Sequence, residues 1–78
     1  MGVVTAVLPS SHLASVGSIP AKDFSVGDVV SFIDSNQVLL TMGHVETVTQ
    51  SSIIVKYDPP AATGREPVQG DMAVRAIH

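Results

Sequence analysis

The chain has 78 residues, of which 45% are hydrophobic and 14% charged, with a formal net charge of −3 and no cysteine. This length allows one domain and no second one, and without cysteine neither a disulfide nor a thiolate metal site can form. The four basic residues are scattered along the sequence, which disfavours nucleic-acid binding because contact with phosphates needs clustered positive charge.

The low content of charged residues is the next informative feature. Soluble domains average about 25% charged residues, whereas this chain has 14%. A domain this small also lies near the lower limit of independent stability. Both features favour a surface that is partly covered by protein, either by a second copy in a homo-oligomer or by a larger protein partner. The alternative is a monomer with a neutral surface rich in serine, threonine and glutamine.

The N-terminal residues do not match a secretory signal. They lack a positively charged segment, and their apolar run ends at Pro9, whereas a signal peptide needs both a basic start and a longer apolar stretch. No window of the sequence approaches the roughly 18 consecutive apolar residues of a membrane-spanning helix. We therefore expect a cytoplasmic protein that does not enter a membrane.

The first twenty residues are predicted to form a strand followed by an arm. Residues 3–8 are apolar and mostly β-branched, which predicts a short strand that ends at Pro9. Residues 10–18 are small and polar without a clear period, which predicts a loop or a loosely attached arm. We therefore describe residues 1–20 as an N-terminal strand and arm, and residues 21–78 as the barrel of the same single domain.

A clear alternation of side chains follows. Residues 28–33 predict a strand in which Val30 and Phe32 share one face while Val29 and Ile33 share the other. The Gly-Asp pair that begins this stretch is a turn signal. Turn residues also follow it, since aspartate, serine and asparagine hydrogen-bond their own backbone.

The remaining strands are separated by glycine, serine and proline. We expect strands at residues 37–42 and 44–50, interrupted at Gly43 by a bulge or bend. Further strands are expected at residues 53–58 and at residues 72–77, where the second one closes the sheet. No stretch has a sustained 3.6-residue apolar period, so we predict no α-helix.

Three short motifs in this order resemble the SH3-like barrel superfamily. They are Gly27, Asp28, Val30 and Phe32; then Gly43, Val45 and Val48; then Ile53, Val55, Tyr57 and Asp58. The resemblance covers roughly residues 24–58 and implies an all-β fold, a small five-stranded SH3-like barrel with an N-terminal strand or arm. The start motif and paired tryptophan of the peptide-binding SH3 domains are absent, so polyproline recognition is not implied.

Apolar residues on both faces of the strands give the candidate interface. A barrel of this size has one interior, so the second apolar set must be covered by residues 3–8, by another copy or by a partner. The residues of this second set are Val29, Ile33, Leu39 and Ile54.

A weaker polar candidate lies at His44 and Glu46. Two residues apart on a strand, they project from the same face, and a carboxylate that orients a histidine is a common general-base arrangement. The simpler interpretation, which we favour, is a pair of polar residues on a solvated face. The other two histidines, His12 and His78, have no metal-ligand spacing with His44. We assign no catalytic, metal-binding or cofactor-binding residue.

These observations favour a non-enzymatic binding or assembly module that self-associates or docks on a protein partner. One alternative is an oligomeric small-barrel enzyme resembling type II dihydrofolate reductase. Val68 and Gln69 match the start of that family's Val-Gln-Ile-Tyr motif, but Gly70 and Asp71 stand where Ile and Tyr are expected. The other alternative is a nucleic-acid-binding barrel, whose binding would depend steeply on salt.

Overall fold

The computed structural model describes residues 2–17, 24–59 and 66–75. These residues form six antiparallel strands that close into a barrel in the order β1-β2-β5-β4-β3-β6, with β6 pairing back onto β1. The strands are β1 (Gly2–Leu8), β2 (Leu13–Gly17), β3 (Val29–Ile33), β4 (Leu39–Val48), β5 (Ile53–Tyr57) and β6 (Met72–Arg75). Within the described part of the chain the only helical element is a 3₁₀ turn, Pro9–Ser11. The all-β barrel expected from the sequence is therefore confirmed, with six strands instead of five.

The additional strand, β2, lies where the sequence predicts a loop. That prediction is wrong because tertiary pairing overrides weak local propensity. Hydrogen bonds to β1 on one side and β5 on the other hold the Leu13–Gly17 backbone in place, and Ala14 and Val16 are buried in the core. β1 pairs with β2 and β6, so it is part of the barrel wall. It does not lie over the outer face of the other strands.

The core follows the predicted alternation. Along β3, Val30 and Phe32 are buried while Val29 and Ile33 are half-buried on the outer side. The buried hydrophobic residues are Val4, Ala14, Val16, Val30, Phe32, Leu40, Val45, Ile53, Val55, Tyr57 and Ala73. Burying each large side chain among them stabilises the fold by about 1.5–3 kcal/mol.

The interruption expected at Gly43 does not occur, because β4 runs through this residue without a break. A Cβ atom at Gly43 would lie 2.5 Å from the Lys56 carbonyl oxygen and 2.8 Å from the Tyr57 Cα. Glycine is therefore required for the close approach of β4 and β5. β4 is irregular at two other residues: its pairing with β3 skips Leu40, and its pairing with β5 skips Glu46.

Two Gly-Asp turns of the same construction precede β3 and β6. Gly27 and Gly70 have φ angles of 94° and 99°, a region that glycine enters without strain. In each turn the next residue, Asp28 or Asp71, accepts through its Oδ2 the N–H of the residue three positions earlier, at 2.9 Å. The first of these turns confirms the Gly-Asp turn signal read from the sequence, and both turns fix the starts of neighbouring strands.

Candidate functional site

The four predicted interface residues all lie outside the core, but the barrel separates them into different surfaces. Ile33 and Leu39 are direct cross-strand partners on β3 and β4. Val29 lies at the opposite end of β3, facing His44. Ile54 lies on the outer side of β5.

An apolar row crosses four neighbouring strands on the outside of the barrel. Leu39 pairs with Ile33, Ile33 pairs with Met72, and Met72 pairs with Val3. Cross-strand partners lie on the same face of a sheet, with Cβ atoms about 4.5–5.5 Å apart, so these four side chains form a continuous uncharged strip. We call it the apolar row. Leu39 is 55% exposed, and Val38 beside it is 56% exposed.

A second apolar surface lies on the outer side of β1, β2 and β5. It is an open hollow of about 100 Å³. Its lining residues are Ala6, Leu8, Leu13, Ala14, Ser15 and Ile54. We call it the hollow. Sequence reasoning identified only Ile54 among these residues, because Leu13 falls in the segment predicted as a loop, and Leu8 was counted as the end of a strand.

His44 and Glu46 are in contact on the outer side of β4. The His44 Nε2 lies 3.0 Å from the Glu46 Oε1, and both side chains are exposed. The predicted same-face geometry is confirmed, and a catalytic role stays a prediction. An exposed side-chain contact of this kind contributes little to stability. Lys56 of β5 is the cross-strand partner of His44, so one acidic and two basic side chains share this part of the wall.

Ser52, which follows β4, stabilises the turn between β4 and β5. The Thr49 Oγ1 accepts the N–H of Ser52 at 3.0 Å and lies 2.8 Å from the Ser52 Oγ. These bonds tie the Ser52 hydroxyl into the β4–β5 connection, as expected for serine in a turn.

A third cluster, which the sequence analysis missed, lies around Glu66 at one end of the barrel. The Glu66 Oε1 lies 3.7 Å from the His12 Nε2 and accepts the Tyr57 hydroxyl at 3.4 Å. The His12 ring meets the Tyr57 ring edge-on, with centroids 5.5 Å apart. Burial, followed by the nearby Glu66 carboxylate, raises the pKa of Tyr57. The phenol therefore stays protonated at neutral pH and acts here as a hydrogen-bond donor.

Neither a metal-binding group of side chains nor a membrane-spanning helix occurs among the described residues. No group of three histidine, cysteine, aspartate or glutamate side chains in residues 2–17, 24–59 and 66–75 could hold a metal ion. His78 lies outside the described residues. No helix within the same ranges is long and apolar enough to cross a bilayer. Val68, the start of the possible reductase motif, donates its N–H to Asp71 in the turn before β6.

By its fold, the protein is a small closed antiparallel β-barrel. Comparison with known proteins found no matching family model, no matching curated protein and no matching solved structure. Any statement about what the barrel does must therefore come from its own surfaces.

Proposed function

We propose that this protein is a non-enzymatic β-barrel module that acts through self-association, with docking on a larger protein as its second mode of use. One observation supports this proposal above the others. The barrel is closed and has a single filled interior, yet the apolar row and the hollow both lie on its outside. Contiguous apolar surface outside a core is typical of protein interaction sites.

The type of contact follows from the closed wall. Each of the six described strands pairs with a neighbour on both sides, so association by adding a strand is disfavoured. Contact must instead use side chains on the outer face. Neither the apolar row nor the lining of the hollow contains a charged residue, so copies of a protein with a net charge of −3 can meet at these surfaces without bringing like charges into direct contact.

A finer classification as an SH3-like barrel is part of the proposal. The consecutive antiparallel strands β3, β4 and β5 contain the residues of the resemblance, except Gly27, Asp28 and Asp58, which directly flank them. β1 and β2 then complete the wall between β5 and β6.

The cytoplasmic location expected from the sequence stays a prediction. It can be tested by fractionating cells that express the tagged chain.

Light scattering coupled to gel filtration tests self-association. The wild-type chain is run over a concentration series up to the high micromolar range. We expect a mass that rises from one chain of 8.1 kDa to a multiple of it. A single-chain mass at every concentration would contradict the proposed function.

A further inference from the structure

The two outer apolar surfaces differ, because one is a hollow and the other includes the most exposed apolar side chains of the β3–β4 turn. Val38 and Leu39 are both more than half exposed; we call this pair the knob. Asp34 holds the turn in place, because its Oδ1 accepts the N–H of Asn36 at 2.8 Å and that of Val38 at 3.0 Å. The knob therefore presents two aliphatic side chains from an ordered turn.

The hollow has the volume that one such side chain needs. A cavity of about 150 Å³ holds benzene, which has six carbon atoms. By proportion, the four carbons of a leucine side chain need about 100 Å³, and the hollow measures about 100 Å³. Its apolar walls suit a leucine and offer little to a polar group.

A single copy cannot fill its own hollow with its own knob. Ile54 in the hollow pairs with Thr47, which lies eight residues along β4 from Leu39 (47 − 39). At about 3.3 Å per strand residue, the two surfaces are roughly 26 Å apart along the wall. Each copy therefore keeps one knob and one hollow for other molecules.

Charge next to the two surfaces is complementary. The knob lies beside the Asp34 carboxylate. The hollow lies beside Lys56, which is the cross-strand partner of Leu13 and is exposed. The acidic residue nearest to Ile54 on β4, Glu46, contacts His44 through its carboxylate. When a knob enters a hollow, a negative and a positive side chain approach at the edge of the contact, which favours this orientation over the reverse.

From this fit we infer that copies of the chain associate head to tail, with Leu39 of one copy seated in the hollow of the next. The inference rests on the proposed self-association and specifies its geometry. A contact between two different patches generates a ring if the rotation closes and a filament if it does not. A two-fold dimer would instead place one and the same patch on both copies.

Two substitutions separate the two halves of this contact. Leu39→Asp replaces the leucine of the knob, and Leu8→Glu places a charge in the wall of the hollow. These positions are 55% and 61% exposed, so neither change disturbs the core. Losing a buried leucine contact weakens association by roughly 10- to 150-fold. We expect each variant alone to have the mass of one chain at concentrations where the wild type assembles.

The decisive sample is an equimolar mixture of the two variants, measured by light scattering. The Leu8→Glu chain keeps its knob and the Leu39→Asp chain keeps its hollow, so one complete contact remains. We expect complexes of two chains, formed near the wild-type concentration midpoint, and nothing larger. Circular dichroism of each variant establishes that it is folded. The matched control is Val26→Asp, at a 68% exposed turn residue outside both surfaces, which should assemble like the wild type.

The possible results separate the inference from the proposed function. If the wild type assembles but a folded mixture stays monomeric, or if either variant alone assembles normally, the head-to-tail arrangement is wrong and self-association still stands. If Val26→Asp abolishes assembly as well, the loss reflects added charge and the arrangement is also wrong. A wild type that is monomeric throughout overturns both proposals.

Discussion

At Gly43 the backbones of β4 and β5 approach more closely than any side chain permits. We expect Gly43→Ala to lower the free energy of unfolding by about 1–3 kcal/mol, the range for overpacking a core, because the new methyl group would meet backbone atoms of Lys56 and Tyr57. Urea denaturation measures this. The matched control is Gly17→Ala, whose methyl group would lie 3.2 Å from the Thr5 Cγ2, a side-chain atom that can move. Equal losses in the two variants would contradict the explanation.

Asp28 gives the barrel a specific pH dependence. The backbone N–H of Ser25, followed by the Arg75 guanidinium, lowers the pKa of Asp28 below its ordinary 3.8; the Arg75 Nη2 donates to its Oδ2 at 3.1 Å. A lowered pKa in the folded state means that the ionised carboxylate stabilises the fold above pH 3.8, and that this stabilisation is lost as the pH falls through the folded-state value.

We therefore expect Asp28→Asn to melt at a lower temperature than the wild type at pH 7 and to converge with it at strongly acidic pH. Thermal melts recorded across a pH series measure the difference. Asp58→Asn is the control, since the hydrogen bonds at this exposed position join its backbone to Thr41 and Met42. A difference between Asp28→Asn and the wild type that is constant with pH would contradict the assignment.

At the scale of single elements, the β3–β4 turn combines two roles that substitution can separate. Asp34→Ala removes an acceptor for two backbone N–H groups, and we expect it to lower the free energy of unfolding by about 1 kcal/mol. Asp34→Asn keeps an acceptor oxygen and loses the charge. It should restore most of the stability yet weaken association by up to about fivefold, the value of one exposed ion pair. Urea denaturation and concentration-dependent light scattering measure the two effects, and an Asn variant that assembles like the wild type would exclude a role for the charge.

Strands in which apolar and polar residues alternate could be predicted from the sequence. Strands that form only because neighbouring strands pair with them could not. Val30 and Phe32 face inward as expected, because period-two alternation directly encodes a strand with one buried face. β2 consists of small and weakly apolar residues and forms because β1 and β5 supply both of its edges. The glycine at position 43 indicated a special backbone position. Only the structure of the paired strand β5 shows that the glycine is needed for the close approach of the two backbones, and not for a bend.

The candidate sites follow the same division. His44 and Glu46 are two residues apart, so their contact could be read from strand geometry. His12 and Glu66 are 54 residues apart (66 − 12), and only the closure of the barrel brings them together. The same holds for the hollow, where Leu8 and Ile54 come from strands on either side of β2.

For the whole molecule, the main consequence of closure is that one interior cannot hold all the apolar side chains of the strands. A chain of 78 residues with 14% charged side chains has few charged groups on its surface to separate the remaining apolar side chains. Because β1 is part of the wall, it is not a cover for the outer face. The proposed association between copies would bury the knob and the hollow together and would add stability to a domain of this small size.

The most direct test of this account is an amide NMR spectrum of the wild-type chain recorded over a dilution series. Signals of residues that are buried between copies change with concentration, whereas those of the free surface do not. We expect the changes to fall on two separate groups, Val38 and Leu39 at the knob and Leu8, Leu13 and Ile54 around the hollow. Val26 should stay unchanged. Spectra that do not change with concentration, or changes confined to one of the two groups, would contradict the account.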